Sequence, residues 1–253
     1  MLVVTGIGKA FAGRRVFDDV TVTLDRGVTA LLGINGAGKT TLLRILAQTL
    51  RSDAGRFSVV ADPGPSAESG GPARDPGDPT LIGYMPQFGP SQSWLTASTY
   101  VTYAGFLSGL SRSAARERAD HLLREYGLTA LARRTPAQLS GGERRKLALA
   151  TAMVTDPPVL LLDEPTAGLD PVQRDEVVER IRELGSTRCV LFSTHLVDDA
   201  VAVTARTLLL HYGRTTLYAG LDDLVRASGV DPSPAGEVAT VRAAFVALVG
   251  GRA

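Results

Sequence analysis

The spacing of hydrophobic positions changes several times along the chain, and each change marks an element. Residues 2–32 read as short strands, and Val20-Thr21-Val22-Thr23-Leu24 alternates apolar and polar side chains as a half-buried strand does. Val28-Thr29-Ala30-Leu31-Leu32 is a compact apolar strand that feeds a glycine-rich turn. Beyond Lys39, Leu42, Leu43, Ile45, Leu46 and Leu50 recur at helical spacing, and Gly55 is expected to close that unit. Leu81-Ile82-Gly83-Tyr84-Met85-Pro86-Gln87 returns to a strand that ends at Gln87. Residues 96–135 look helical. Ser113 is the expected cap of a helix with Ala115, Ala119, Leu122, Leu123 and Tyr126 on one face, and Gly127 ends it. After residue 143 strands and helices alternate, which implies a parallel sheet with crossover helices. The pattern describes an α/β core interrupted by a helical insert over residues 88–138. Residues 61–79, rich in Pro, Gly and Asp, read as a mobile surface loop without chemistry.

Composition narrows the field modestly. A chain of 253 residues suits one large α/β domain, or one domain with a small insert. Lys and Arg number 27 against 26 Asp and Glu, an even balance that argues against a basic nucleic-acid surface. Cys189 is the single cysteine, so no internal disulfide forms, and its apolar setting Cys189-Val190-Leu191-Phe192 predicts a buried inert thiol that fits a reducing compartment. No apolar run approaches the ~18 residues of a membrane span. Met1-Leu2-Val3-Val4-Thr5-Gly6 lacks the basic start and long apolar core of a signal peptide. Any membrane process served by this chain therefore needs its pore in another chain.

Three separated segments carry the chemistry. Gly33-Ile34-Asn35-Gly36-Ala37-Gly38-Lys39-Thr40 has the G-x-x-x-x-G-K-[ST] spacing, in which backbone N–H groups converge on phosphates and the next helix adds its positive dipole end. Gly36, Gly38, Lys39, Thr40 and Thr41 are the expected contacts, with Lys39 on the β- and γ-phosphates and the Thr40 hydroxyl on Mg²⁺. Val159-Leu160-Leu161-Leu162-Asp163-Glu164 is an apolar strand ending in two carboxylates, which face the ligand crevice of an α/β sheet. Asp163 would hold Mg²⁺ through water and Glu164 would orient the attacking water, unless Pro165 simply ends the strand and both acids are solvated. Leu139-Ser140-Gly141-Gly142-Glu143 opens a helix. S-x-x-E is also a capping box, yet its two glycines exceed what a cap requires and permit close backbone approach to an anion.

Together these segments resemble the ATP-binding cassette family, the ATPase subunits of ABC transporters, and the resemblance runs from Leu2 to Leu248. It implies a RecA-like P-loop core over 1–87 and 139–220 with an N-terminal antiparallel sheet. It also implies a helical signature subdomain over 88–138 and a helical tail over 221–253. ATP and Mg²⁺ are the implied cofactors, with Asn35 in the nucleotide-binding loop. Ser140 and Gly142 would contact the γ-phosphate held by a second ABC subunit, alongside Glu143, which replaces the commoner Gln. Gln87 falls where the family touches Mg²⁺ and the attacking water and links ATP to the membrane partner. His195 would hydrogen-bond the γ-phosphate and sense its departure. Asp170 sits in the loop that crosses to the opposite subunit, or caps the helix before Pro171. Phe11 falls where an aromatic ring meets adenine, or packs in the core, and Val16 would complete that pocket. Trp94 would contact the permease or pack inside the insert.

The implied protein is one cassette of a head-to-tail homodimer or heterodimer, with a separate transmembrane permease and no nucleic-acid partner. Its implied place is the cytoplasmic face of the membrane, held there through the permease. The tail segments Leu221-Asp222-Asp223-Leu224 and 241–248, with 193–199, resemble ATPases of ABC-2 type exporters. A soluble non-transport ABC ATPase and an importer ATPase are the alternatives.

Overall fold

The computed structural model describes residues 1–60, 73–74, 77–87, 89, 94–203 and 206–250. Strands β1 (Leu2–Phe11), β2 (Arg14–Leu24), β4 (Ala54–Val60) and the short β5 (Ala73–Arg74) form an antiparallel sheet in the order β2-β1-β4-β5. A six-stranded sheet runs in the order β10-β9-β3-β8-β7-β6. It contains β3 (Gly27–Leu32), β6 (Ile82–Met85), β7 (Val159–Asp163), β8 (Cys189–Thr194), β9 (Arg206–His211) and β10 (Arg214–Tyr218). Among the described residues only the β9–β10 hairpin is antiparallel there; the other pairings are parallel.

The apolar runs of β3, β7 and β8 have a direct cause: both faces of the sheet are covered. Leu160 and Leu162 of β7, with Val190 and Phe192 of β8, join one core cluster, while Val159, Leu161, Cys189 and Leu191 join another. The second cluster lies against the antiparallel sheet and α1 (Lys39–Leu46), whose Leu42, Leu43, Ile45 and Leu46 are all buried. The first receives α2 (Ala97–Leu107), α3 (Arg112–Glu125), α4 (Gly141–Ala152) and α5 (Pro171–Gly185). Helix α6 (Val197–Val203) joins that cluster too. It also meets the closing helices α7 (Leu221–Ser228) and α8 (Glu237–Gly250) through a smaller cluster around Val197, Leu224, Val241 and Ala244. Leu147, Leu149 and Ala150 of α4 share one continuous cluster with Val101 of α2, Leu122 of α3 and Met85 of β6, so the insert and the core meet without an apolar break. No helix among the described residues is long and apolar enough to cross a membrane.

Three local readings change. The cap of α3 is Ser111, which accepts from the Ala114 N–H at 3.2 Å, so the helix starts at Arg112 and Ser113 lies inside it. The Ala115-Ala119-Leu122-Leu123 face is buried as its spacing predicts, with Tyr126 at its end. Gly55 does not close the α1 unit. It lies within β4 at φ 76°, where an added Cβ would fall 2.2 Å from the Gly6 carbonyl carbon. Finally, part of the 61–79 segment is strand β5, and most of the rest falls outside the described residues.

Gly55→Ala combines a disfavoured φ with a backbone collision. It should lower stability by about 2–3 kcal/mol, read as a lower urea midpoint at unchanged slope; an unchanged midpoint would show that β1 and β4 can separate at no cost.

Candidate functional site

Four neighbouring parallel strands deliver their carboxyl ends to one edge of the sheet. Leu32 pairs with Thr194, Asp163 with Ser193, and Met85 with Leu162, so β3, β8, β7 and β6 end nearly level. The phosphate loop follows β3, His195 follows β8, Glu164 follows β7, and Gln87 lies just beyond β6. Ligands of open α/β sheets bind at this edge.

The loop before α1 needs Gly38, which caps the helix at φ 106°, and where an added Cβ would lie 2.6 Å from Val16 Cγ1. Lys39 is buried, and its Nζ donates to the carbonyls of Gly33 at 2.7 Å and Ile34 at 3.1 Å. Burial pushes its ammonium pKa down, while the Glu164 and Asp163 carboxylates pull it back up. Thr41 follows in the first turn of α1.

Asp163 is fully buried at the end of β7. Its Oδ1 accepts from Ser193 Oγ at 2.6 Å and Thr40 Oγ1 at 3.1 Å, and its Oδ2 has no hydrogen-bond partner among the described residues. Burial raises its pKa, opposed by those two hydroxyls; Glu164 adds to the rise and Lys39 counters it. Glu164 holds φ 47°, a left-handed backbone that costs a non-glycine residue about 1–3 kcal/mol. Its N–H donates to Ser193 Oγ at 2.9 Å, which helps fix that turn. The carboxylate then lies between two side chains: Gln87 Nε2 donates to Oε2 at 3.3 Å, and His195 Nδ1 is 3.2 Å from Oε1. Gln87, Glu164 and His195, separate in sequence, thus form one contiguous group.

Phe11 is 47 % exposed at the end of β1, with Lys9 Nζ 5.2 Å from its ring centroid, so core packing is not its role. Phe11, Val16, Asn35 and Gly36 line a cavity of about 1180 Å³, together with Tyr212 on the β9–β10 turn. Tyr212 is a lining residue that the sequence reading missed. Ser140 and Glu143 form the capping box at the start of α4. The Glu143 N–H donates to Ser140 Oγ at 3.2 Å, and the Ser140 N–H donates to Glu143 Oε2 at 2.7 Å. Asp170 caps α5, accepting from the Gln173 N–H at 2.9 Å. Gly142 lies so close to Gln173 that an added Cβ would fall 2.7 Å from its Cδ, so the two helix starts abut. The hydrogen bonds of Ser140, Glu143 and Asp170 stay within their own helix starts, away from the phosphate loop. Trp94 is 86 % exposed, so it does not pack inside the insert.

Sequence reading also missed Arg145 and Ser193. Arg145, in the second turn of α4, donates from Nη1 to the Gln87 carbonyl at 2.7 Å and from Nη2 to the Ala167 carbonyl at 3.1 Å. Burial lowers its pKa, and the Glu164 and Asp163 charges act against that. Its only sequence signal was a basic residue following an S-x-x-E cap.

A family model described as "ABC transporter" matches residues 17–167. The chain is 36 % identical over 232 residues to the daunorubicin resistance ATP-binding protein DrrA3 of Streptomyces coeruleorubidus, covering 91 % of this chain and 71 % of that protein. It is 35 % identical over 210 residues to the Nod factor export ATP-binding protein I of Burkholderia lata, covering 82 % and 67 % respectively. A solved structure titled "Structure of ATP binding subunit of ABC transporter" superposes with a TM-score of 0.76 at 28 % identity, covering 94 % of this chain and 98 % of that one.

The Ser140 N–H holds the Glu143 carboxyl below its usual pKa of 4.5, the largest of several causes. A depressed folded pKa gives stability that is present above that value and lost as pH falls through the folded pKa. Glu143→Gln should therefore flatten the acid limb of the stability curve below pH 4.5, measured by urea unfolding across pH. Ser140→Ala should cost about 1 kcal/mol near neutrality. Parallel acid limbs for Glu143→Gln and the parent chain would show that the ionised Glu143 carboxylate adds nothing to stability.

Proposed function

The chain belongs to the ABC transporter family as an ATP-binding subunit, and on that premise we propose that it hydrolyses ATP to drive an ABC-2 type exporter. The observation that carries the proposal is the meeting of Gln87, Glu164 and His195 at the carboxyl ends of three adjacent strands. A water activated there needs a base held in place and a neighbouring donor that recognises the phosphate. Glu164 is the base. Its carboxylate takes or polarises the water proton while Gln87 and His195 fix its two oxygens. Lys39 and the backbone N–H groups of Asn35, Gly36 and Gly38 neutralise the phosphates. Thr41 adds a hydroxyl in the first turn of α1. Phe11 and Val16 hold the base in the cavity beside the loop.

The Asp163 Oδ2, buried and without a partner among the described residues, and the Thr40 hydroxyl on the same carboxylate make an all-oxygen donor set that suits Mg²⁺. Mg²⁺ held there would neutralise charge building on the phosphates. Gln87 would approach it from the β6 side, next to Glu164.

Ser140, Gly142 and Asp170 lie at the adjoining starts of α4 and α5, exposed or nearly so at Ser140 and Asp170. That placement supports a second ABC subunit, related by a two-fold axis, whose ATP they contact while their own loop holds the other. Glu143 serves this signature by capping α4 rather than by touching nucleotide. The absence of any spanning helix among the described residues is consistent with a separate permease on which the chain would sit peripherally at the cytoplasmic membrane face. Exposed Trp94, close in sequence to Gln87, is the proposed contact. Export is supported by the likeness to DrrA3 and to the Nod factor export protein. The units 1–87 with 139–220, 88–138, and 221–253 are proposed as nucleotide core, signature subdomain and tail.

Glu164→Gln should lower kcat by about 10²- to 10⁴-fold while ATP still binds, and gel filtration with ATP should show accumulated dimer. A variant that turns over ATP at the parent rate would overturn the assignment. Affinity capture from detergent-solubilised membranes should recover a multi-span protein, with recovery reduced by Trp94→Ala; capture of soluble proteins alone would exclude a transporter subunit.

A further inference from the structure

Outside the groups already assigned, one ionisable side chain among the described residues is completely enclosed. Asp199 of α6 is 0 % exposed, and its side-chain carboxylate is bonded to Thr166, Thr194 and Arg174. Its Oδ2 accepts from Thr166 Oγ1 at 2.6 Å and from Thr194 Oγ1 at 3.1 Å, and its Oδ1 accepts from Arg174 Nε at 2.5 Å. Three donors on one carboxylate come from three separate segments, which carry Glu164, His195 and Asp170 respectively.

Thr166 lies two residues beyond Glu164, in the turn closed by the Ala167 N–H donating to the Glu164 carbonyl at 3.2 Å. Thr194 ends β8 immediately before His195. Its Oγ1 also accepts from the Leu196 N–H at 3.0 Å, so the hydroxyl spans the turn on which His195 stands. Arg174 lies in the first turn of α5, where its N–H donates to the carbonyl of the cap residue Asp170 at 2.9 Å. One buried carboxylate thereby fixes the turns of Glu164 and His195 and the start of the helix capped by Asp170. We propose that Asp199 is a positioning residue that holds Glu164, His195 and the Asp170 loop in register for hydrolysis. This rests on the reading of Glu164 as the base.

A buried ion pair is weak evidence for stability, because desolvation offsets the attraction and an apolar substitute often does as well. What the carboxylate supplies, and an apolar side chain would not, is several directional acceptor sites at once. The distances also matter for rate: displacement of a reacting group by about 1 Å can cost 10²-fold even when the altered residue is far from the chemistry. Glu164 already sits in a strained left-handed turn, so its geometry depends on what is bonded around it.

The test separates positioning from plain folding. Asp199→Ala risks the fold, so Thr166→Val and Thr166→Ser are measured beside it: valine keeps the shape and loses the hydroxyl, serine keeps the hydroxyl and loses the methyl. Steady-state kinetics with MgATP, titration with a fluorescent ATP analogue, and thermal unfolding are run on all of them. Thr166→Val should lower kcat roughly tenfold or more with nucleotide affinity within about twofold, and Thr166→Ser should stay within about threefold of the parent kcat. Equal kcat for Thr166→Val and Thr166→Ser, or a loss that tracks nucleotide affinity or thermal stability, overturns the positioning role. A parent chain without turnover overturns the hydrolysis reading itself, and a parent that turns over beside an unaffected valine variant overturns only the role of Asp199.

Discussion

Parallel pairing in register is the constraint on which the site depends. Because β3, β8, β7 and β6 end nearly level, the side chains that follow them converge without any one loop having to reach far. This register is held by the cores on both sides of the sheet. A slip of one residue in β7 would send Leu160 and Leu162 into the space of Val159 and Leu161, and would turn Asp163 away from Ser193 and Thr40. The apolar packing and the placement of the carboxylate are therefore one problem with one solution.

Electrostatics at the sheet edge follows from the same burial. Desolvation works against the charge of Lys39 and against that of Asp163, so each is shifted towards neutrality. They oppose that shift in one another, and the hydroxyls of Ser193 and Thr40 favour the ionised carboxylate. Ser193 has two tasks. It donates to Asp163 Oδ1 and accepts from the Glu164 N–H, and so ties the buried acid to the strained turn beside it. Such a pair of bonds is directional, whereas the Coulomb attraction of Lys39 is not. The attraction favours the charged form of Asp163; the hydrogen bonds decide where its carboxylate points.

How much of this could be read in the sequence depends on distance along the chain. The phosphate loop, the S-x-x-E cap and the apolar strand ending in Asp163 are local patterns, and local physics sets them: helix-start donors, a glycine at positive φ, a strand covered on both faces. Phe11 was legible as an exposed ring only through its place in the motif order. Gly55 misled because a glycine after a helical pattern usually ends it; here the close approach of β1 across β4 requires it. Ser113 misled because Ser111 offers the same cap chemistry two residues earlier. Ser193 and Asp199 carry no local signal, and Arg145 only that of a basic residue after the S-x-x-E cap. Their partners lie 22 to 58 residues away for Arg145 and 25 to 33 for two bonds of Asp199, and only the folded topology brings them together.

Arg145 shows what such distant bonds do mechanically. Its guanidinium leaves α4 and bonds the Gln87 carbonyl with one arm and the Ala167 carbonyl with the other. Gln87 touches Glu164, and Ala167 belongs to the turn that follows Glu164. Helix α4 is packed on α2 and α3, so a rotation of the helical insert cannot leave these two carbonyls behind without breaking charge-assisted bonds in a half-buried setting. Bonds of that kind are worth about 1.5–3 kcal/mol each. The guanidinium therefore couples the insert to the loops on either side of Glu164. A planar fork with fixed donor geometry is suited to that coupling, and a lysine at this position could not bond both carbonyls in the same way.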